Sequence, residues 1–370
     1  MRHTTLRART VHRWLPALAG AALLALGAAA CGDDDTSSTG DNAAGSSSGD
    51  AAEKEVRIGM AGYDNANNYT QWWWLAAQDE AKKVGAKVTL IDGKFDAKAQ
   101  AAAVQNSITS KQFDALAILP VDGVSLLPVA TQAGDAGLKV VVGQTLGTVE
   151  QTNKLDPLVP QITSVVGQES SFQAEYFAKN IGAACAAKNG EGSPCKVGVM
   201  PGAATFPTDR LQVSVIKSSL ASKPNIKITM APDGGYARPG GYKAATTFLQ
   251  NNKDVDVLHA NGDQMITGAV QAIKEAGLEP GKDVLLSGYG GTTEGITGIR
   301  DGTWFATVML YPQKQAREMV KAAAAAVRGE DVPSTVNILT EPPGTVVAAD
   351  KKTLDEHPEI KGEWSEAAPR

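Results

Sequence analysis

The chain has 370 residues, 43% hydrophobic, 20% charged and 5% aromatic, with a formal charge of −5. That length exceeds what one compact core usually holds, so two domains are expected. An acidic balance with no basic cluster argues against a nucleic-acid partner.

The first segment carries Arg2, Arg7, Arg9 and Arg13, then an apolar run from Leu15 to Ala30 that ends in Ala28-Ala29-Ala30. A basic start, a short apolar core and small residues before a cut describe a secretory signal over residues 1–30. The run is roughly a helical turn short of a comfortable membrane span. Cys31 follows, then Gly32-Asp33-Asp34-Asp35 and a Ser/Thr/Gly/Asp/Asn tract to about Asp50. This stretch cannot bury a core, so residues 31–55 read as a disordered tether. Cys31 in this setting resembles the lipobox cysteine of bacterial lipoproteins, with Ala28 where Leu is usual. The resemblance implies a mature chain outside the cytoplasmic membrane, anchored by lipid on Cys31. Removing residues 1–30 takes away four Arg and no acid, which leaves 31 basic against 40 acidic side chains, a formal charge of −9.

From Val56 onward, short apolar runs alternate with amphipathic stretches. Val56–Met60, Lys87–Ile91, Ala115–Leu119 and Lys139–Val142 read as strands, with helices over Trp72–Val84, Ala97–Ser110 and Leu126–Ala136 between them. The strands are nearly continuous apolar runs, as in parallel sheets covered on both faces. The pattern restarts at Val165-Val166, with a helix over Ser171–Ala187. Strands follow at Lys196–Met200, Lys227–Met230, Val255–His259, Asp283–Gly288 and Ala306–Leu310. Helices at Asp209–Leu220, Gly241–Asn251, Met265–Ala276, Thr293–Asp301 and Gln313–Arg328 complete the series. This is an α/β chain of two Rossmann-like, doubly wound lobes with a cleft between them.

Cys185 and Cys195 flank a turn-rich stretch, and outside the cell this spacing suits a local disulfide. The chain has no C-x-x-C, and past the signal it has only His259 and His357. No metal or other cofactor is therefore expected. In open α/β sheets, ligands bind beyond the carboxyl ends of the strands. The loops there are rich in Asn, Gln, Thr and aromatics and poor in the His, Lys and Cys that catalysis recruits.

In order along the chain come Ala117-Ile-Leu-Pro-Val-Asp-Gly-Val, Ala133-Gly-Asp-Ala-Gly-Leu-Lys-Val-Val-Val142, Ala260-Asn-Gly-Asp-Gln-Met265 and Gly288-Tyr-Gly-Gly-Thr292. Through these segments the chain resembles the ribose-binding-protein branch of the type I periplasmic binding proteins, the substrate-capturing subunits of ABC importers. The resemblance runs from about Val56 to Glu330. It implies the type I periplasmic binding protein fold, two lobes joined by a three-strand hinge with ligand in the cleft. It divides the chain into 56–165 plus 311–338, then 166–310 plus 339–360, with 361–370 as a tail.

The resemblance also implies a site. Asn67 and Tyr69 stand where the family has a ligand-contacting Asn and aromatic, and Tyr236 stands at its second stacking aromatic on the other lobe. Thr208 replaces a contacting Arg, and nearby Thr205 offers another hydroxyl. Gln144 occupies part of a family Asp-Arg pair. Asn261 neighbours Gly262, where the family has Asn. Asp263 is retained, although an Asp opening a helix is usually a cap. Apolar spacing back from Val84 turns Trp73 and Trp74 toward the lobe interior: Trp74 reads as core, Trp73, four residues from Tyr69, as either core or cleft floor, and Trp72 as cleft rim. With the charged ribose anchors gone, the expected ligand is a small neutral sugar or polyol stacked between Tyr69 or Trp73 and Tyr236. Its binding should depend weakly on salt and on pH near neutrality. The expected protein is a monomeric, non-enzymatic receptor delivering this ligand to an ABC permease by hinge closure. The alternative is a nucleoside or furanosyl signal-molecule receptor of the same fold. A secreted glycosidase needs two carboxylates facing across a cleft, and the loops offer only Asp64, Asp122, Asp209 and Asp263.

Overall fold

The structure, a computed structural model, describes residues 55–144, 146–148, 151, 154–340 and 345–369. The signal segment, Cys31 and the tether up to residue 54 lie outside the described residues. Among the described residues no helix is long and apolar enough to cross a membrane.

One lobe opens with β1 (Val56–Ala61), α1 (Asn68–Lys83), β2 (Ala86–Ile91), α2 (Ala97–Ser110), β3 (Ala115–Ile118), α3 (Gly123–Asp135), β4 (Lys139–Val142) and β5 (Ser164–Gly167). The other holds α4 (Ser170–Asn189), β6 (Cys195–Met200), α5 (Pro207–Leu220), β7 (Ile226–Met230), α6 (Arg238–Leu249), β8 (Val257–Ala260), α7 (Asp263–Glu275), β9 (Leu285–Gly290), α8 (Thr293–Asp301) and β10 (Ala306–Met309). The chain then returns with α9 (Pro312–Arg328) and β11 (Thr335–Asn337), and crosses again to β12 (Ala348–Asp350) and α10 (Lys351–Glu356). The sheet orders are β11-β5-β4-β3-β1-β2 and β12-β10-β9-β8-β6-β7. Among the described residues every strand pairing is parallel except β12 on β10. The chain therefore passes between sheets three times, at β5 to α4, β10 to α9 and β11 to β12.

Local chemistry explains where the helices start. The side chains of Asn67, Asp96 and Asp122 accept from the backbone N–H groups of Tyr69, Ala99 and Ser125, capping α1, α2 and α3. Because Asn67 caps, α1 begins at Asn68 and not at Trp72 as the spacing predicts. Pro207 and Pro312 open α5 and α9, where a missing N–H costs nothing. Helix α9 packs on α1 and against the first sheet. The largest apolar cluster crosses between the lobes, from Trp73 and Met319 through Tyr69, Leu310, Tyr289 and Trp364 to Phe177 and Ile181.

Cys185 on α4 and Cys195 at the start of β6 form a disulfide, with Cα atoms 5.7 Å apart. Both residues are buried. Opening this ten-residue separation releases chain entropy in the unfolded state. The Cys185→Ala/Cys195→Ala variant should therefore lose roughly 2–3 kcal/mol of stability. Urea unfolding with and without reductant measures it; equal midpoints would refute the estimate.

Candidate functional site

Between the two sets of strand ends lies a cavity of about 100 Å³. Loops after β1, β2, β3, β4, β6, β7 and β8 all reach it, as do Leu310 and Trp364. Among the described residues that line it there is no Asp, Glu, Lys, Arg or His.

Its aromatic wall joins the lobes. Phe95, in the loop after β2, lies parallel to Tyr236 of the other lobe with ring centroids 6.2 Å apart. Phe95 also stacks on Phe206 at 6.3 Å and on Tyr63 at 6.0 Å. Five non-glycine residues among those described have positive φ, and three of them line the cavity: Phe95 (48°), Gln144 (96°) and Tyr236 (51°). Such backbone is held against its preference by surrounding contacts, and it concentrates at functional sites. For Tyr236 the contacts are plain. Its ring lies on Gly202, where a Cβ would sit 2.1 Å from a ring carbon. Its hydroxyl donates to Asp209 Oδ2 at 2.6 Å.

Asp209 organises the second lobe's half of the site. It is buried and accepts from four donors: the Gly202 and Ala203 N–H groups at 3.0 Å each, Tyr236 Oη, and Asn261 Nδ2 at 2.7 Å. Burial pushes its pKa up and the hydrogen bonds oppose that. Burial, then the Asp209 charge, pushes the Tyr236 phenol well up. Asn261 Nδ2 also donates to Gln212 Oε1 at 3.0 Å. Two buried atoms of this pair have no protein partner, Asn261 Oδ1 and Gln212 Nε2, and both residues line the cavity. The Asn261 side chain also acts on the buried His259 ring, whose pKa burial pushes down to about 4.

Of the expected site residues, Asn67, Tyr69, Gln144, Thr208, Tyr236 and Asn261 line the cavity. Asn67 does double duty: Oδ1 caps α1, and Nδ2 reaches Tyr236 O across the cleft at 3.5 Å. Four expected residues do not line it. Trp73 is fully buried in the core on the inner face of α1. Trp72 points to the C-terminal segment and donates from Nε1 to Ser365 O and Ala367 O, each at 3.0 Å. Thr205 is exposed, and its carbonyl accepts from Arg210. Asp263 is buried and accepts from Thr292 N–H (2.9 Å), Thr292 Oγ1 (3.1 Å) and Thr307 Oγ1 (2.8 Å). It ties α7 to β10 and the start of α8, and burial pushes its pKa up to about 6. It does not line the cavity, and the cap of α7 falls on Gly262.

The ring facing Tyr236 is therefore Phe95, in place of Tyr69 or Trp73. Tyr69 instead donates its hydroxyl to Gln315 Oε1 at 2.8 Å. Phe95 was findable, because Asp92-Gly-Lys-Phe-Asp96 follows a strand as the other site loops do. Gln212, one turn into α5, and Trp364 carried no local signal. Asp64 and Asp122 accept from nearby backbone N–H groups. Asp209 and Asp263 are engaged as described, and none of the four Asp is among the described residues that line the cavity.

The "periplasmic binding protein domain" family model matches residues 58–331. The chain is 29% identical over 244 residues to the galactofuranose-binding protein YtfQ of Escherichia coli K12, covering 64% of this chain and 71% of that protein. It is 27% identical over 285 residues to the ribose import binding protein RbsB of Bacillus subtilis 168, covering 77% and 86%. A solved ABC transporter solute-binding protein from Mycobacterium smegmatis with bound glycerol superposes with a TM-score of 0.70 at 25% identity, over 85% of this chain and all of that one. With a family match spanning most of its length behind two parallel sheets and an interlobe cavity, the chain belongs to the periplasmic binding protein domain family.

Proposed function

We propose that this protein is an extracytoplasmic receptor that captures a small neutral sugar or polyol between its lobes and delivers it to an ABC importer. The observation that carries the ligand class is the cavity lining, in which the amides Asn67, Gln144, Gln212 and Asn261 stand among aromatic rings with no charged side chain among the described residues. A charged ligand would lose its hydration there without gaining a counter-ion, at several kcal/mol. A hydroxylated one finds amide and hydroxyl partners, with aromatic faces for its C–H surface. The volume narrows the class. At about 10–15 Å³ per water on this measure, the cavity of about 100 Å³ holds roughly seven to ten waters, which sets an upper size of about ten non-hydrogen atoms. That is a pentose or a five-carbon polyol; a nucleoside, with base and sugar together, exceeds it. The relatives named for galactofuranose and ribose, and the glycerol-bound structure, support the same class.

The lobes close by rotation at the three crossovers. Ligand bridges Asn261 and Gln212 on one side and the Phe95 and Gln144 loops on the other, and so favours the closed arrangement over the open one. Lobe limits near residues 165 and 310, a monomeric state, and export with lipidation at Cys31 belong to the same proposal. The last is supported by the sequence around Cys31; intact-mass analysis of the membrane form showing an unmodified Cys31 would end it.

Titration calorimetry against D-ribose, L-arabinose, xylitol and adenosine tests the ligand class. A sugar or polyol should bind with weak salt dependence, and Tyr236→Ala should weaken it by about 1–3 kcal/mol. Preference for the nucleoside, a steep salt dependence, or full affinity in Tyr236→Ala would overturn the assignment.

A further inference from the structure

Residues 361–369, expected as a tail, run back across the mouth between the lobes. The family match ends at residue 331, so this stretch lies outside it. Arg300 Nη2 holds its start by donating to Pro358 O and Ile360 O at 3.1 and 2.6 Å. Gly362 has φ +86°, and a Cβ there would lie 2.5 Å from Thr293 N, so the chain passes close over the start of α8. The following residues then alternate between lobes. The Glu363 carboxylate accepts from the Gln313 and Lys314 N–H groups that open α9, at 3.2 and 2.9 Å. Trp364 O accepts from Thr293 N–H at 2.8 Å, and Trp364 Nε1 donates to Gly290 O at 2.7 Å. The Trp364 ring, 2% exposed, meets Tyr69 of the first lobe edge-to-face at 5.6 Å. Ser365 Oγ and the Glu366 N–H both donate to Glu294 on α8. The Ser365 and Ala367 carbonyls accept from Trp72 on α1. Trp364 also lines the ligand cavity.

We propose that Gly362–Ala367 is a strap that completes the binding site: it holds the lobes together from outside the three crossovers, and its Trp364 ring forms the wall that limits ligand size. The inference rests on reading this cavity as the ligand site. It also accounts for Trp72, whose indole grips the strap. Closure then requires more than hinge rotation, because Trp364 must seat between Tyr69 and Gly290 for the cavity to have its wall.

The strap carries its own pH response. Burial pushes Glu363 up to about 7, against the Lys314 and Arg317 charges, with Tyr69 and Tyr311 alongside. Burial pushes Glu366 up to about 8, reinforced by Glu294 and Asp263 and opposed by Arg238 and the Thr267 hydrogen bond. Both values lie above the ordinary glutamate range, so the seated strap favours protonated carboxyls. Their contribution to seating is complete at low pH and is lost as pH rises through about 7 and then about 8.

The test uses the full mature chain, with xylitol and the bulkier myo-inositol as probes. Trp364→Ala should lower the affinity ratio of xylitol to myo-inositol by roughly ten-fold, the scale of one lost aromatic wall. Trp72→Phe, which keeps a six-membered aromatic ring and loses the indole N–H that holds the strap, should weaken both probes alike by a few-fold. In ligand-free protein, Trp364→Ala should speed amide exchange at residues 290–293 and 313–315. An unchanged affinity ratio in folded Trp364→Ala, or unchanged exchange there, overturns the strap. A wild type that binds neither probe overturns the size-limiting role and the ligand reading together, while the exchange result still decides whether the segment holds the lobes.

Discussion

Asp209→Ala is expected to weaken ligand binding by about 2–4 kcal/mol, the largest single loss in the site. The carboxylate contacts no ligand in this reading; it holds the groups that do. Its removal leaves the Tyr236 hydroxyl, the Gly202 and Ala203 N–H groups and one Asn261 hydrogen without their acceptor. Each buried donor so stranded costs roughly 1–3 kcal/mol, less where water from the cavity can replace the oxygen. Tyr236 then loses what holds it at φ 51°, and Asn261 loses its anchor on one side. Asp209→Asn is the informative companion. It preserves volume and one acceptor oxygen but turns a donor toward donors, so it should fall between wild type and Ala. Calorimetric titration and urea unfolding on the same samples separate the two effects. Binding should fall by more than stability does, because the ring and amide are aimed at the cavity. An Asp209→Ala variant with wild-type affinity would mean that Tyr236 and Asn261 are positioned by something else.

Trp73→Ala is expected to cost about 3–5 kcal/mol of stability and to change affinity little in the protein that remains folded. The side chain is fully buried in the cluster that includes Ala76, Ala77, Ala316, Met319 and Val320, where α1 meets α9. Its Nε1 has no hydrogen-bond partner, so the indole donor contributes nothing that Phe would lose. Trp73→Phe should therefore fall well short of the Ala loss, since it keeps much of the ring and discards an unsatisfied donor. Chemical unfolding midpoints of the three proteins decide it. A folded Trp73→Ala that fails to bind ligand would return Trp73 to the site.

The two tryptophans show where sequence reading reaches its range. Apolar spacing along α1 is a local property, and it correctly turned Trp73 toward the lobe interior. The same spacing also put it four residues from Tyr69, and nothing local says whether such a position meets core or cavity. Trp72 was read as a rim residue, and its partners turn out to be carbonyls almost three hundred positions away. Asp263 was legible as the residue that opens a helix. That its carboxylate turns back to Thr292 and Thr307 depends on how β9 and β10 lie beside α7.

What the sequence determined by itself is what short-range physics encodes. Continuous apolar runs between amphipathic stretches dictate two parallel sheets covered by helices, because each face of each strand must be buried. The start of α2 at Ala97 was legible, with Asp96 as its cap, because an N-cap needs only its own backbone neighbours; Asn67 and Asp122 cap helices that begin earlier than the spacing predicts. The loops beyond the strand ends, with their amides and aromatics and without paired charges, already describe a binding cleft for a neutral ligand. What only the tertiary structure decided is which of those loops meet. Phe95 faces Tyr236, Asn261 pairs with Gln212, and Trp364 returns to close the cavity, all between residues far apart in the chain. The Asn261–Gln212 pairing is set by packing within the second lobe and the other two by the packing of one lobe against the other, and no periodicity or spacing within a single segment carries that information.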